Sequence, residues 1–352
     1  MSKQLMKGNE ALAEAALRAG CRFYSGYPIT PQTEILEYLA KRMDEVGGTF
    51  VQTESELAGI NMLLGAAAAG ARALTSSAGP GFSLNQEGIS YLVAADLPAV
   101  IINVMRIGTG LGDIAQGQGD YWQMTRGGGH GDYKLLTYAP STVQEAVDIL
   151  YYAFDKADEY RTPVCILGDG LLGQIMEPVT FPEMKEMPDP STKSWAVTGT
   201  HHGKDKTLAS SIYIDPNLGE AQNNHLVEKF ERIAQKETQC EEFMCDDAEI
   251  ILTGYGSVGR IIKSAIYMLR EKGIKAGLVR PITLMPFPTK VYEKYAAKAS
   301  VKRFLTVELS MGQFVEDVKL SVMGKKPVDL FTRCGGNIMT PEDVVEKVME
   351  VK

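Results

Sequence analysis

Along the first 182 residues the apolar positions switch between two spacings. "NEALAEAALRAG" (9–20) repeats at helical intervals and stops at Gly20, whereas "CRFYSGYPI" (21–29) is a short apolar run of strand type. The alternation continues. Ile35, Leu36, Leu39 and Met43 share one face of a helix, "TFVQTE" (49–54) reads as a strand, and "SELAGINMLLGAAAAG" (55–70) reads as a helix of small residues. "ARALTSSA", "LPAVIINVMR", "YKLLTYA" and "TPVCILGD" are further strands, with helices over 79–96 and 141–161. Residues 107–132 are a glycine-rich loop region with a short helix near Tyr121–Thr125. Repeated β–α alternation predicts an α/β fold with a doubly wound parallel sheet, helices covering both faces.

Residues 183–247 break the pattern. They are polar and irregular, with one amphipathic helix carrying Leu226, Phe230 and Ile233, and they read as an excursion that wraps a partner or the other domain. The β–α pattern returns at 248 and predicts a second, smaller parallel-sheet domain over 248–352. The expected organisation is therefore 1–182, 183–247 and 248–352. Ligands of parallel sheets bind beyond the carboxyl ends of the strands. Tyr27–Pro31, Thr53–Glu56, Ser76–Gly81 and Met105–Gly112 all fall at such ends, which places them around one crevice.

Composition narrows the function. Hydrophobic residues at 45% and charged residues at 23% are those of an ordinary globular protein. A formal net charge of -8 gives no support for a nucleic-acid or anionic-membrane partner. No apolar run reaches membrane-spanning length, and "MSKQLMKGNEALAEAAL" reads as a helix rather than a signal peptide, so a cytoplasmic protein is expected. Cys21, Cys165, Cys240, Cys245 and Cys334 form no CxxC pair and fit no common zinc or iron–sulfur spacing. They suggest a reducing compartment and incidental thiols. His201-His202 sit in a polar stretch and read as solvent-exposed rather than as metal ligands.

Three motifs are tempting and fail. Gly254-Tyr255-Gly256-Ser257-Val258-Gly259 matches GxGxxG after a strand, but the next strand ends in Arg280-Pro281 where a dinucleotide site wants an acid. Tight helix–sheet packing is the better reading. Gly168-Asp169-Gly170 opens like the metal-diphosphate motif of thiamine enzymes, yet Asn223-Asn224 lies far downstream beyond the irregular stretch, so it reads as a strand end. There is no GxSxG elbow for a hydrolase.

One constellation survives. Pro28 and Pro31 stiffen a strand-to-helix corner, where Thr30 is either an ordinary N-cap or a hydroxyl aimed at a ligand. Glu56 opens the small-residue helix. Such a carboxylate is ordinarily a solvated cap, but tight packing of that helix at a subunit interface would bury it and favour proton sharing with a ligand nitrogen. Arg106 ends an apolar strand and enters the glycine-rich loop, which suits capture of a carboxylate.

With "YPITP", "ESELAGINMLLGAAAAGARALTSSAGPGFSL", "NVMRIGTGLG", "RPITLMPFP" and "ELSMGQFVEDV" in place, the chain resembles the α subunit of the 2-oxoacid:ferredoxin oxidoreductases along nearly its whole length. "GGGHGDY" and "GDGLLGQIMEPV" look most like the branched-chain, 2-oxoisovalerate branch, with the 2-oxoglutarate branch the runner-up. Gln32 departs from the Ser that many relatives have after "YPITP". The resemblance implies a pyrimidine-binding domain of a thiamine diphosphate enzyme followed by a transketolase C-terminal-like domain. Glu56 would match the glutamate that hydrogen-bonds the aminopyrimidine ring, favouring the imino tautomer that removes the thiazolium C2 proton. Pro28 and Ile29 would line the cofactor. Thr30 and Arg106 would contact the 2-oxoacid, Arg106 at its carboxylate, and His130 would help select the side chain. Mg²⁺ and an iron–sulfur cluster would belong to a partner β subunit, beside γ and ferredoxin-like δ subunits. Coenzyme A would take the acyl group and ferredoxin the electrons. The other readings are a non-catalytic assembly scaffold with the same fold and a split transketolase-like or synthase-like transferase.

Overall fold

A computed structural model describes residues 3–187, 189–199 and 206–351; the expectation for His201 and His202 lies outside the described residues. The chain runs β1 (Gln4–Lys7), α1 (Gly8–Arg18), β2 (Phe23–Gly26), α2 (Thr33–Arg42), β3 (Thr49–Gln52), α3 (Glu56–Ala68), β4 (Ala73–Ser77), α4 (Gly79–Ala94) and β5 (Ala99–Ile107). It continues through β6 (Asp113–Gln116), α5 (Tyr121–Thr125), β7 (Leu136–Tyr138), α6 (Val143–Tyr160), β8 (Pro163–Asp169), α7 (Gly170–Gln174), β9 (Met176–Val179) and α8 (Pro216–Glu237). The last part comprises β10 (Cys240–Phe243), β11 (Ile250–Thr253), α9 (Val258–Glu271), β12 (Ala276–Pro281), β13 (Thr283–Met285), α10 (Thr289–Ala297), β14 (Arg303–Glu308), α11 (Phe314–Val322), β15 (Val328–Thr332) and α12 (Pro341–Val351).

Two mixed sheets carry the fold. The larger has the order β13-β7-β8-β5-β4-β2-β3, parallel from β7 to β3, with β13 antiparallel at one edge and β6 folded back on β5. The smaller has the order β10-β12-β11-β14-β15, parallel except for β10. Both are doubly wound, as the β–α alternation predicts. The sheets also share edges across the expected boundaries. Cys240–Phe243, inside the irregular stretch, joins the smaller sheet, and Thr283–Met285 crosses back to the larger one.

β5 is buried along nearly its whole length because both of its faces are covered. Val100, Ile102 and Val104 face a core shared with α1, α2 and α6. Ile101 and Met105 face a second core with Ile60, Phe82 and Ile89, and this core runs on into Ile251, Tyr255, Phe304 and Phe314 of the smaller sheet's layer. Helix α1 contacts both α2 and α6, which buries nine of its eleven residues and explains its alanines. In α8, Ile233 is buried and Leu226 and Phe230 pack against the cores. The helix is latched by Lys229, whose ammonium meets Asp96 and donates to Arg161 O at 3.1 Å. The irregular stretch thus folds back on its own chain.

Candidate active site

Chain order along the larger sheet reverses between β2 and β4: the chain steps from β2 to β3 on one side and returns to β4 and β5 on the other. Such reversals leave a crevice at the carboxyl ends. The 27–32 corner, the N-termini of α3 and α4 and the end of β5 converge there.

The corner is held by Gln32, which is fully buried. Its Nε2 donates to Tyr27 O at 3.1 Å, and its Oε1 accepts the Ser76 hydroxyl at 2.7 Å. Asn9 Nδ2 donates to Pro31 O at 2.7 Å. The departure at position 32 therefore ties the corner to β4. Pro28 and Ile29 are half-buried in it, and Ile29 O accepts the Gln32 N–H at 3.0 Å. Of the two readings of Thr30, the N-cap is ruled out: α2 begins at Thr33 and has no side-chain cap among the described residues. Thr30 lies outside the helix and is exposed.

Ser55 caps α3, its Oγ accepting the Ala58 N–H at 3.3 Å. Glu56 is the first helical residue and only 7% exposed. A side chain at Gly81 would begin 2.2 Å from Glu56 Oε1 and 2.6 Å from Ser77 Oγ, so the carboxylate sits where only glycine leaves room. Among the described residues nothing pairs with that carboxylate, and the Ser77 hydroxyl is buried without a partner. Glu56 is largely buried by this chain's own residues. Gly59 lets α3 approach β2, where an added Cβ would lie 3.2 Å from Gly26 Cα, and Ile60 fills the space above Gly88 of α4. On the outer sides of α3 and α4, Leu57, Met62 and Leu84 remain exposed.

Arg106 is 7% exposed and reaches across the crevice. Its Nη1 donates to Thr30 O at 3.1 Å and its Nη2 to Leu111 O at 2.7 Å, while Nε is buried without a partner. A guanidinium has five N–H donors, so donors remain for an anion. Thr30, Glu56 and Arg106 are brought to one crevice. His130 is not gathered with them. It is exposed, and its loop leans on the middle of α4, where Tyr133 OH accepts from Gly129 N at 3.0 Å and donates to Gln86 Oε1 at 3.2 Å.

Asp120 escapes the reading of the sequence. It is 6% exposed, and its Oδ2 accepts the Gly79 N–H at 3.0 Å. Burial pushes its carboxyl up to about 6, against the pull of the Gly79 N–H, the Asn103 amide and the Arg106 charge. An acid directly after a glycine-rich loop was the available signal. Asp120 lines a cavity of about 600 Å³ between the two sheets' layers, with Ile107, Leu111, Trp122, Leu309 and Met311; no described Lys, Arg or His lines it.

The discarded motifs have structural roles. Asp169 Oδ1 accepts the Leu172 N–H at 3.0 Å, and Oδ2 accepts the Ser257 hydroxyl at 2.6 Å, which latches the two layers together. Arg280 pairs with Glu145 and Glu241, and a Cβ at Gly259 would lie 2.4 Å from Arg280 Cδ. The GxGxxG glycines thus serve close packing. No cluster of three or more His, Cys, Asp or Glu suited to a metal occurs among the described residues. No described helix is long and apolar enough to cross a membrane.

Comparison with known families gives two matches that together span most of the chain. Residues 14–241 match the family described as pyruvate flavodoxin/ferredoxin oxidoreductase, thiamine diphosphate-binding, and residues 248–344 match pyruvate:ferredoxin oxidoreductase core domain II. The chain belongs to the 2-oxoacid:ferredoxin oxidoreductase family. It is 48% identical to the ketoisovalerate oxidoreductase subunit VorB of Methanothermobacter thermautotrophicus, over 100% of this chain and 98% of that one. To the 2-oxoglutarate synthase subunit KorA of the same organism it is 32% identical, over 98% of both chains. It also resembles the solved 2-oxoglutarate:ferredoxin oxidoreductase from Magnetococcus marinus, with a TM-score of 0.87 and 25% identity, covering 99% of this chain and 65% of that one. A split-gene transketolase shares the fold alone, with a TM-score of 0.56 and 14% identity over 98% of this chain and 97% of that one.

Proposed function

We propose that this chain is the subunit of a 2-oxoacid:ferredoxin oxidoreductase that holds the pyrimidine end of thiamine diphosphate and the carboxylate of a branched 2-oxoacid, 2-oxoisovalerate first. The observation that carries the reading is the buried, unpartnered Glu56 carboxylate beside the unpartnered Ser77 hydroxyl, in a cradle that a Gly81 side chain would fill. A ring nitrogen that shares a proton fits that donor set. Thiamine diphosphate, when bound, supplies the nucleophilic carbon and the electron sink for decarboxylation. Glu56 holds the proton shared with the aminopyrimidine ring, Pro28 and Ile29 wall the ring, and Arg106 with Thr30 orients the oxoacid. The choice of a branched side chain over 2-oxoglutarate follows the resemblance of "GGGHGDY" and "GDGLLGQIMEPV" to the branched-chain branch. The 48% identity to VorB against 32% to KorA supports the same choice.

The diphosphate, Mg²⁺ and an iron–sulfur cluster fall to a partner β subunit, with γ and ferredoxin-like δ subunits, coenzyme A as acyl acceptor and ferredoxin as electron acceptor in the cytoplasm. The units are a pyrimidine-binding domain over 1–182, an excursion over 183–247 and a transketolase C-terminal-like domain over 248–352. The test is anaerobic purification of the complex through a tag on this chain, then coenzyme A-dependent dye reduction with 2-oxoisovalerate, 2-oxoglutarate and pyruvate in parallel. Preference for 2-oxoisovalerate is expected. Preference for 2-oxoglutarate would overturn the substrate assignment, and no reduction with any oxoacid would overturn the reading.

A further inference from the structure

We infer that Asp120 is a positioning residue for the Arg106 clamp and that the second domain sets its place. The inference rests on Arg106 as the carboxylate-binding group proposed above. Asp120 reaches Arg106 through Gly79, whose N–H it accepts at 3.0 Å. Gly79 opens α4 with a φ of 47°, and its bare Cα lies against the arginine stem: a Cβ there would sit 3.1 Å from Arg106 Cγ and Nε. The anchored Gly79 backbone is thus a wall that confines the stem while the Nη atoms engage Thr30 O and Leu111 O.

The segment carrying Asp120 is held from the second domain. Gln313 donates from Nε2 to Gly119 O at 2.9 Å and accepts the Trp122 N–H on Oε1 at 3.0 Å, bracketing Asp120 on both sides. Asp317 of α11 accepts the Tyr121 hydroxyl at 2.5 Å and Arg126 Nη2 at 2.9 Å. The Tyr121 ring packs on Tyr255 and Phe314, with centroids 5.4 and 5.7 Å away. Placement therefore runs from α11 through residues 119–126 to Asp120, Gly79 and Arg106. The second domain thus acts on the substrate clamp through residues 119–126.

The test compares Asp120→Ala, Asp120→Asn and Gln313→Ala in the purified holoenzyme by two readouts. The first is hydrogen–deuterium exchange of the peptide covering 77–84, which needs no turnover. The second is the split between KM and kcat for the preferred oxoacid. Asp120→Ala is expected to speed exchange across that peptide and raise KM about tenfold or more, with kcat within about threefold. Asp120→Asn keeps an oxygen that accepts from Gly79 and is expected to restore most of both. Gln313→Ala, remote from the clamp, is expected to move both in the same direction by less, and it stands in if Asp120→Ala fails to assemble. Unchanged exchange overturns the inference, as does faster exchange with an unchanged KM or an equal fall in kcat for all three variants. A wild-type complex without oxoacid-dependent turnover overturns the reading of Arg106, while the exchange arm still decides whether Asp120 holds Gly79.

Discussion

Two buried glutamates stand at the carboxyl-end reversals of the two sheets, and their surroundings differ. Glu308 ends β14 beside β11, where the smaller sheet's chain order reverses. It is fully buried and completely used. Its Oε2 accepts the Ser310 hydroxyl at 2.6 Å and the N–H groups of Gln313 and Phe314 at 3.0 Å, and its Oε1 accepts Val315 N–H at 3.1 Å. Glu308 is the cap of α11. Glu56 is in the matching place of the larger sheet, but Ser55 caps α3 and leaves the Glu56 carboxylate without a partner among the described residues. A buried charge is costly unless something meets it. The satisfied glutamate is therefore structural, and the unsatisfied one is the carboxylate on which the proposed cofactor site rests.

Four changes would break or sharpen that contrast. The largest effect is expected from Glu56→Gln. It should lower oxoacid turnover of the assembled enzyme by about a thousandfold or more, roughly 4 kcal/mol, and leave the thermal midpoint within about 2 °C. Steady-state rates and a melting curve on one preparation check both halves; an equal loss of stability would make Glu56 structural after all. Glu308→Gln should do the reverse. An amide turns an N–H₂ toward backbone donors and loses charge-assisted hydrogen bonds, so a loss of about 3 kcal/mol is expected in urea denaturation. Retained stability would mean the cap is dispensable.

Asp120 supplies a pH test. Its folded carboxyl titrates near 6, above the ordinary unfolded value, so the folded state binds the extra proton between the two. The stabilising contribution is full below about pH 4 and is lost as pH rises through about 6. Measured against Asp120→Asn, wild-type stability should fall by up to about 3 kcal/mol between pH 4 and 7.5. A flat difference in thermal midpoint across that range would show that the carboxyl is not desolvated. The smallest effect is expected from Arg106→Lys, which keeps the charge but loses the fork. A ten- to hundredfold fall in kcat/KM, about 1.4–2.7 kcal/mol, should come mostly from KM; an unchanged ratio would remove Arg106 from the site.

Local pattern alone determined most of the elements. The apolar periodicity of Ile35, Leu36, Leu39 and Met43 marks α2, and all of them are buried. The run Ala99–Met105, apolar except for Asn103, marks a strand covered on both faces. The strand-end positions of Thr30, Glu56 and Arg106 follow from β–α alternation, because a parallel sheet puts every carboxyl end on one side. Long-range contact decided the rest. β1, β9, β10 and β13 are three or four residues long and gain their identity only from partners distant in sequence, such as Thr283 opposite Tyr138. The length-eleven α12 closes the smaller core through Val344, Val345 and Val348. Nothing near Asp120 in the chain announces that it meets Gly79, and nothing near Glu56 announces that Ser77 and Gly81 enclose it. Periodicity reports which face of an element is apolar. Which polar group is left unpaired inside depends on what the other elements bring against it, and only the folded arrangement determines that.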